Sequence, residues 1–358
     1  MGKSVCGNMI VYKDEKFGFI EIFNEKNGTL IRSDVEGKDP SMRSFPELLD
    51  VGIMGHCENG VYCKKAGIDC YQKGNSVFNP HMSAKQFENI AKQASGKTFQ
   101  IALGGAGDPN KHPEFEQILR LCRYYKIVPN MTTSGMNMSH KEIVLMKKYC
   151  GAVAVSWYSR LGNGVETNLR TLEAVEKLVN YGCTTNIHYV ISNDTIDEAI
   201  YRLQNNLFPQ GINAVIFILY KPVGDGIEEK TLRHSDTRLD AFLKLATEQH
   251  HPYSIGFDTC FTPAIVTKAK QVPNVCIDSC EAATFSMYID SQMNCYPCSF
   301  GVWNKKISEC LISKSIEDIW NGTIFKQFRR KSALHCMACE QYHLCTGGCK
   351  LNLDIDLC

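Results

Sequence analysis

Three cysteines, Cys57, Cys63 and Cys70, crowd into the segment HCENGVYCKKAGIDCYQKG, and a second group closes the chain as Cys336-x2-Cys339-x5-Cys345-x3-Cys349, followed by Cys358. Thiolates are soft donors that hold zinc or iron–sulfur clusters. A full iron–sulfur ligand set is four cysteines, so a set of three leaves one iron open to a small-molecule ligand. Loop cysteines with no common ligand, or a zinc ion completed by His56, are the other readings of the first segment. The tail spacing is too regular to arise readily by chance, and structural zinc, which needs only four thiolates, competes there with iron–sulfur ligation.

What eighteen cysteines in 358 residues mean depends on the compartment. The first residues, MGKSVCGNMIVYKDE, carry no apolar leader core, and Cys6 stands where a myristoylation signal has Ser or Thr. The apolar run AVIFILY (214–220) is far shorter than the roughly twenty residues that span a bilayer. The expectation is a cytoplasmic protein with no membrane partner, in which cysteines bind metal more often than they pair. A formal net charge of +1 provides no field to draw in nucleic acid, and leaves a neutral small molecule or a flexible peptide as substrate.

A further candidate lies in GGAGDP. Gly104 and Gly105 permit close approach of a backbone to a ligand, and Asp108 supplies an acid; an ordinary strand-to-helix turn is the alternative.

These residues need elements to position them. Between Glu47 and Asp258, β-branched runs (ELLDVGIM, TFQIAL, VPNMTT, AVAVSWY, TTNIHYVIS, AVIFILY) alternate with amphipathic stretches such as SAKQFENIAKQAS, HPEFEQILRLCRYYK and NLRTLEAVEKLVNYG. Ser83 with Gln86, and Ser139 with Glu142, have capping-box spacing. Six such βα units predict an α/β open barrel or doubly wound sheet with ligands at the carboxyl ends of the strands. The chain divides into residues 1–45, with a hairpin around Glu25 to Gly28, then the repeat over 46–258, then a loop-rich tail over 259–358 with one helix in SIEDIWNGTIFKQFRR. Cys122, Cys150 and Cys183 fall in or beside helices and read as small buried hydrophobes. Cys6 and Cys310 suggest no role.

Over roughly residues 46 to 350 the chain resembles the radical S-adenosylmethionine (SAM) superfamily. Cys57 ends the first strand as that family's first cysteine does, and Cys70-Tyr71 matches its third cysteine followed by an aromatic. The usual Cys-x3-Cys-x2-Cys becomes Cys57-x5-Cys63-x6-Cys70, with Val61 and Lys64 at the usual cysteine positions. The resemblance implies a (β/α)6 partial TIM barrel in which these three cysteines hold a SAM-binding 4Fe-4S cluster. Gly104, Gly105 and Asp108 match the motif that holds the methionine amino group. By position, Thr133, Ser156, Asn186 or His188, and Tyr220 with Lys221 and Pro222 would border SAM or substrate. The tail resembles the SPASM extension, a C-terminal iron–sulfur domain with two auxiliary 4Fe-4S clusters. Carried over, Cys260, Cys280, Cys298 and Cys349 hold one cluster and Cys336, Cys339, Cys345 and Cys358 the other, with Cys276 and Cys295 as substitutes.

Relatives with this tail modify ribosomally made peptides by thioether or carbon–carbon crosslinks, or oxidise a residue of a sulfatase. The resemblance therefore implies an oxidoreductase of the peptide-maturase type. It would act on a peptide substrate that residues 1–45 could dock through its leader by adding a strand, with an electron donor such as flavodoxin or ferredoxin; a barrel cap is the other reading of that segment. A sulfatase-maturase-like dehydrogenase or an epimerase is the alternative among enzymes, and a zinc-stabilised binding module the alternative of another class.

Overall fold

The computed structural model describes the chain apart from residues 1, 27, 38, 39, 41, 333, 354 and 356. Its first segment forms an antiparallel sheet, β1 (Gly2–Cys6), β2 (Met9–Asp14), β3 (Phe19–Asn24) and β4 (Leu30–Asp34), ordered β1-β2-β3-β4. The expected hairpin joins β3 to β4, closed by hydrogen bonds from Asn24 N to Thr29 O and from Gly28 N to Asn24 O. One apolar face of this sheet, Ile10, Tyr12 and Phe23, packs on Phe99 and Val128, which lie at the amino ends of two strands of the next sheet. Burial of these side chains removes apolar area from water, and the Phe23–Phe99 stack, with centroids 5.4 Å apart, adds its quadrupole geometry.

The central repeat runs β5 (Leu48–Met54), α1 (Gly60–Lys65), α2 (Ala84–Ala94), β6 (Gln100–Gly105), α3 (Phe115–Tyr124), β7 (Val128–Thr133), α4 (His140–Tyr149), β8 (Val153–Ser156), a short hairpin β9 (Leu161–Gly162) and β10 (Val165–Glu166), α5 (Leu169–Asn180), β11 (Thr185–Ile191), α6 (Ile196–Asn205), β12 (Ala214–Leu219), α7 (Thr237–Glu248) and β13 (Ser254–Phe257). Both predicted capping boxes, Ser83–Gln86 and Ser139–Glu142, are formed. After α8 (Thr262–Lys268) come β14 (Ser286–Ile289), β15 (Asn294–Tyr296), β16 (Glu309–Cys310), α9 (Ile316–Trp320), α10 (Thr323–Arg329) and α11 (Tyr342–Cys345).

One sheet holds ten strands in the order β13-β12-β11-β8-β7-β6-β5-β14-β15-β16. The six strands expected from sequence are parallel neighbours, and two more parallel strands flank them, β13 beside β12 and β14 beside β5. The tail thereby extends the barrel sheet. Side chains alternate across each strand: Leu49, Val51 and Ile53 of β5 are fully buried in the main core, and Asp50 and Gly52 take the opposite face. Cys122 is buried in that core, with Cys150 and Cys183 packed against it.

Where one tail helix was expected, two form. The break falls at Asn321–Gly322, where Gly322 adopts an extended N-cap conformation (ψ 170°) and starts α10 afresh. Glycine in a helix interior costs about 1 kcal/mol relative to alanine, which makes this the natural place for the break. Fully buried Trp320 ties the tail to the segment before β5 by donating its indole N–H to Arg43 O at 2.9 Å. No helix among the described residues is long and apolar enough to cross a membrane.

Candidate active site

The first cysteine loop leaves the carboxyl end of β5, and its backbone is threaded between two glycines. Cys57 N donates to Gly74 O at 2.9 Å. A Cβ on Gly74 would stand 2.0 Å from Ala106 O and 2.8 Å from Cys57 Cβ, and one on Gly107 would stand 3.1 Å from Cys57 Cα. The GGAGDP turn therefore packs directly on the cysteine loop. Gly105 itself has φ +117°, and a Cβ there would lie 2.5 Å from Met54 O, so this position needs glycine on two counts.

Asp108 links three segments. It accepts from Ser134 N at 2.6 Å, Ser134 Oγ at 2.6 Å and Asn59 Nδ2 at 3.1 Å. Asn59 is the residue before α1, the one-turn helix that carries Cys63. The three thiols and this carboxylate form one electrostatic group. Burial pushes the Cys57 thiol up to about 11, with Asp108 and Cys70 adding to the rise against backbone N–H donors. Burial, then Cys57, Asp108 and Cys70, push Cys63 to about 12. Tyr158 stands against the same group: burial, then Cys63, Cys70 and Asp108, raise its phenol, which hydrogen-bonds Ser156.

The remaining sequence candidates fall into different places. Ser156 pairs in register with His188 across β8 and β11, and burial lowers the His188 imidazole to about 4, so it is neutral. Asn186 lies near the amino end of β11, bonded to Asn213 Nδ2 at 2.9 Å. Thr133 is 1% exposed and uses its hydroxyl on Asn110 Oδ1 (2.9 Å) and the Gly135 N–H (3.1 Å). Tyr220 donates to Asp69 Oδ2 at 2.9 Å, beside the third cysteine.

A second group of thiols gathers in the tail. Cys260 and Cys349 share a hydrogen bond that holds the Cys349 thiol well below its ordinary value, helped by the Asn352 N–H and Lys221; the same bond and burial raise Cys260. Cys298 feels Cys280 and Cys349, and Cys280 feels Cys349. So Cys260, Cys280, Cys298 and Cys349 come together. Lys221 sits among them, its ammonium within reach of Leu219 O (3.0 Å) and Asp258 Oδ2 (3.1 Å) and over the Phe300 ring. Burial opposes its charge, but Asp258, Cys260 and Cys349 outweigh that and raise its pKa.

The third group comprises Cys336, Cys339 and Cys345 around α11, where burial raises the Cys345 thiol against the Gly347 and Gly348 N–H groups, and the thiols of Cys336 and Cys339 add to the rise. Cys358 is exposed. Cys276 is exposed, and Cys295 faces Asp290, Cys310 and Glu309.

Donor type and grouping fit iron–sulfur ligation, which takes thiolates on separate irons, and metal binding would draw off the protons that burial holds on Cys57, Cys63, Cys280 and Cys298. Among the described residues no three His, Cys, Asp or Glu side chains close on one point at the spacing a single ion needs.

Residues that sequence reasoning missed include Asn59, Tyr158 and Asp50. Asp50, on β5, is raised to about 7 by burial, against a hydrogen bond from Ser299, the residue after Cys298. Tyr71, next to Cys70, is raised by burial and then by Asp50. An aspartate inside an otherwise apolar strand segment was the available signal.

No protein-family model matches the chain, and no curated protein matches its sequence. Solved structures do. Streptococcus suis SuiB bound to S-adenosylmethionine superposes with a TM-score of 0.71 at 15% identity, over 97% of this chain and 95% of that one. SuiB bound to its precursor peptide SuiA gives 0.71 at 16%, with the same coverage. Native anSMEcpe with bound AdoMet and Cp18Cys peptide gives 0.60 at 17%, over 85% of this chain and 89% of that one. The chain has the partial-barrel fold of these SAM-binding structures, the fold that its cysteine and glycine motifs resemble.

Proposed function

We propose that this chain is a radical SAM enzyme that oxidatively modifies a ribosomally made peptide by forming a thioether or carbon–carbon crosslink. The observation that carries the reading is the meeting of Cys57, Cys63 and Cys70 with Asp108 against the GGAGDP turn, at the carboxyl end of β5. The fold supports it, since two of the solved structures it resembles hold SAM and two hold a peptide.

A SAM-chelating 4Fe-4S cluster supplies one-electron cleavage of SAM to methionine and a 5′-deoxyadenosyl radical. The chain's part is to hold ligands and exclude water. Gly104, Gly105 and Asp108 would bind the methionine end of SAM, with Ser134 and Asn59 orienting the carboxylate. Ser156, Tyr158 and neutral His188 would face the nucleoside or the substrate. Cys260, Cys280, Cys298 and Cys349 would hold one auxiliary cluster, and Cys336, Cys339, Cys345 and Cys358 another. Electrons would come from a flavodoxin or ferredoxin.

Anaerobic reconstitution followed by iron analysis tests this, with about twelve irons per chain expected, four for each cluster. Replacing Cys57, Cys63 and Cys70 together by Ala should remove one cluster's iron and abolish 5′-deoxyadenosine formation. Stoichiometric zinc with little iron would overturn the reading in favour of a zinc-stabilised binding module. A peptide product that loses hydrogen without a new crosslink would point instead to the dehydrogenase alternative, and one of unchanged mass to an epimerase.

A further inference from the structure

On the side of the molecule where the β2–β3 turn meets the tail, a cavity of about 480 Å³ is lined by four cations, Lys16, Lys326, Arg329 and Arg330, with Phe17 and Met42 as its apolar part. Among the described residues no carboxylate lines it. Among the described residues none of the four cations has an ion-pair partner; Lys16 Nζ only donates to Asn321 Oδ1 at 3.3 Å. Lys326 and Arg330 point to solvent.

Arg329 is the unusual member. Its Nη2 donates to Trp320 O at 2.7 Å, its Nε to Ala283 O, and its guanidinium lies over the Trp320 ring. Its Nη1 is buried with no hydrogen-bond partner among the described residues. Burial alone pulls the guanidinium down to about 10, with no anion to offset it. Guanidinium stays protonated in proteins, so a half-buried one without a carboxylate is a charge that lacks its counter-ion. A further cation stands beside it: Lys350 Nζ donates to Arg329 O at 2.8 Å.

We propose that this cavity binds the carboxylate side chains of an acidic peptide segment. Arg329 contributes a positive charge that its backbone-carbonyl partners do not neutralise, and the outer lysine and arginine supply long-range attraction for an anionic side chain. An inorganic anion would leave Phe17, 36% exposed, and Met42 without use, whereas a peptide carrying an apolar residue beside an acidic one uses both. The ligand's being a peptide rests on the reading given under Proposed function; the cation pocket does not.

The test is fluorescence anisotropy on the anaerobically reconstituted protein. The probes are a fluorescein-labelled alternating Glu-Leu dodecapeptide and its Lys-Leu counterpart. Selective binding of the Glu-Leu probe is expected, weakening as salt is raised. The double variant Lys326→Glu/Arg330→Glu, changed only at exposed positions, should weaken it by at least about tenfold. Arg329→Lys, which keeps the charge, should weaken it by a smaller factor. Equal binding by wild type and the double variant overturns the proposal. Complete displacement by millimolar inorganic phosphate, with a Glu-Gly probe binding as well as Glu-Leu, overturns the peptide assignment. Absent binding in a protein that still cleaves SAM sinks this inference and leaves the function standing; binding without SAM cleavage does the reverse.

Discussion

The hydroxyl of Tyr220, just past the end of β12, donates to Asp69 Oδ2 at 2.9 Å, and Asp69 immediately precedes Cys70. The contact is one of several. Lys230 Nζ pairs with the same Asp69 oxygen at 2.7 Å, Asp225 N donates to Cys70 O at 3.1 Å, and Ile227 N donates to the Tyr220 hydroxyl at 2.8 Å. A Cβ on Gly224 would lie 2.4 Å from Tyr71 O. The loop after β12 thus clamps the third cysteine, and Tyr220 is a positioning residue for it.

Tyr220→Phe should therefore loosen the loop while leaving the barrel intact. A hydrogen bond to a charged acceptor contributes about 1.5–3 kcal/mol, so amide exchange over residues 66–74 should quicken by about tenfold or more. Exchange elsewhere in the barrel should not change. Unaltered protection of the loop would show that Lys230 and the backbone contacts suffice.

Lys221 makes a second prediction. Its side chain is 2% exposed and its ion pair with Asp258 spans 3.1 Å. Lys221→Met leaves Asp258 without its cation and should destabilise the protein by about 3 kcal/mol in denaturant melts. Adding Asp258→Asn should restore a good part of that loss, because the unpaired carboxylate disappears with it. If the two effects simply add, the pair is not coupled.

Much of this was legible in the sequence where one residue type alone can do a job. Ser83 and Ser139 start helices because their side chains cap, and β-branched runs became strands of the parallel sheet. Contacts set by the fold were not legible. Thr133 and Asn186 lie on strands that sequence places correctly, yet their side chains satisfy Asn110 and Asn213, which only the three-dimensional pairing brings near. The Asn59–Asp108–Ser134 triangle spans three separate loops. The tail's β14 adds beside β5 across more than two hundred residues of chain, a pairing that local pattern does not carry. The break in the tail helix had a local signal, Gly322, inside a stretch whose periodicity reads as continuous.

Gly74 offers a sharper test of the first cysteine site. Gly74→Ala places a methyl 2.0 Å from Ala106 O and 2.8 Å from Cys57 Cβ, both poorly yielding neighbours. The loop must move and take Cys57 with it. Reconstituted iron should fall by one cluster, from about twelve to about eight per chain, while far-UV circular dichroism stays unchanged. Full iron loading in this variant would mean the loop tolerates displacement and the cysteine grouping is looser than the packing indicates.

The last prediction concerns pH. Burial raises the Asp50 carboxyl to about 7, against the hydrogen bond from Ser299, whereas an unfolded aspartate titrates near 3.9. The fold thus favours protonated Asp50. Its contribution is fully present below about pH 4 and is lost as pH rises through about 7. A shift of this size corresponds to at most about 4 kcal/mol, and to less where solvent reaches the strand face. Asp50→Asn stays neutral at every pH and keeps an oxygen to accept from Ser299. The stability difference between variant and wild type should therefore grow in the variant's favour from pH 5 to pH 8 and level off above that. Urea melts of both proteins across this range provide the measurement. Parallel stability curves would show that Asp50 titrates as an ordinary exposed aspartate, and its place in the buried network with Tyr71 and Ser299 would have to be given up.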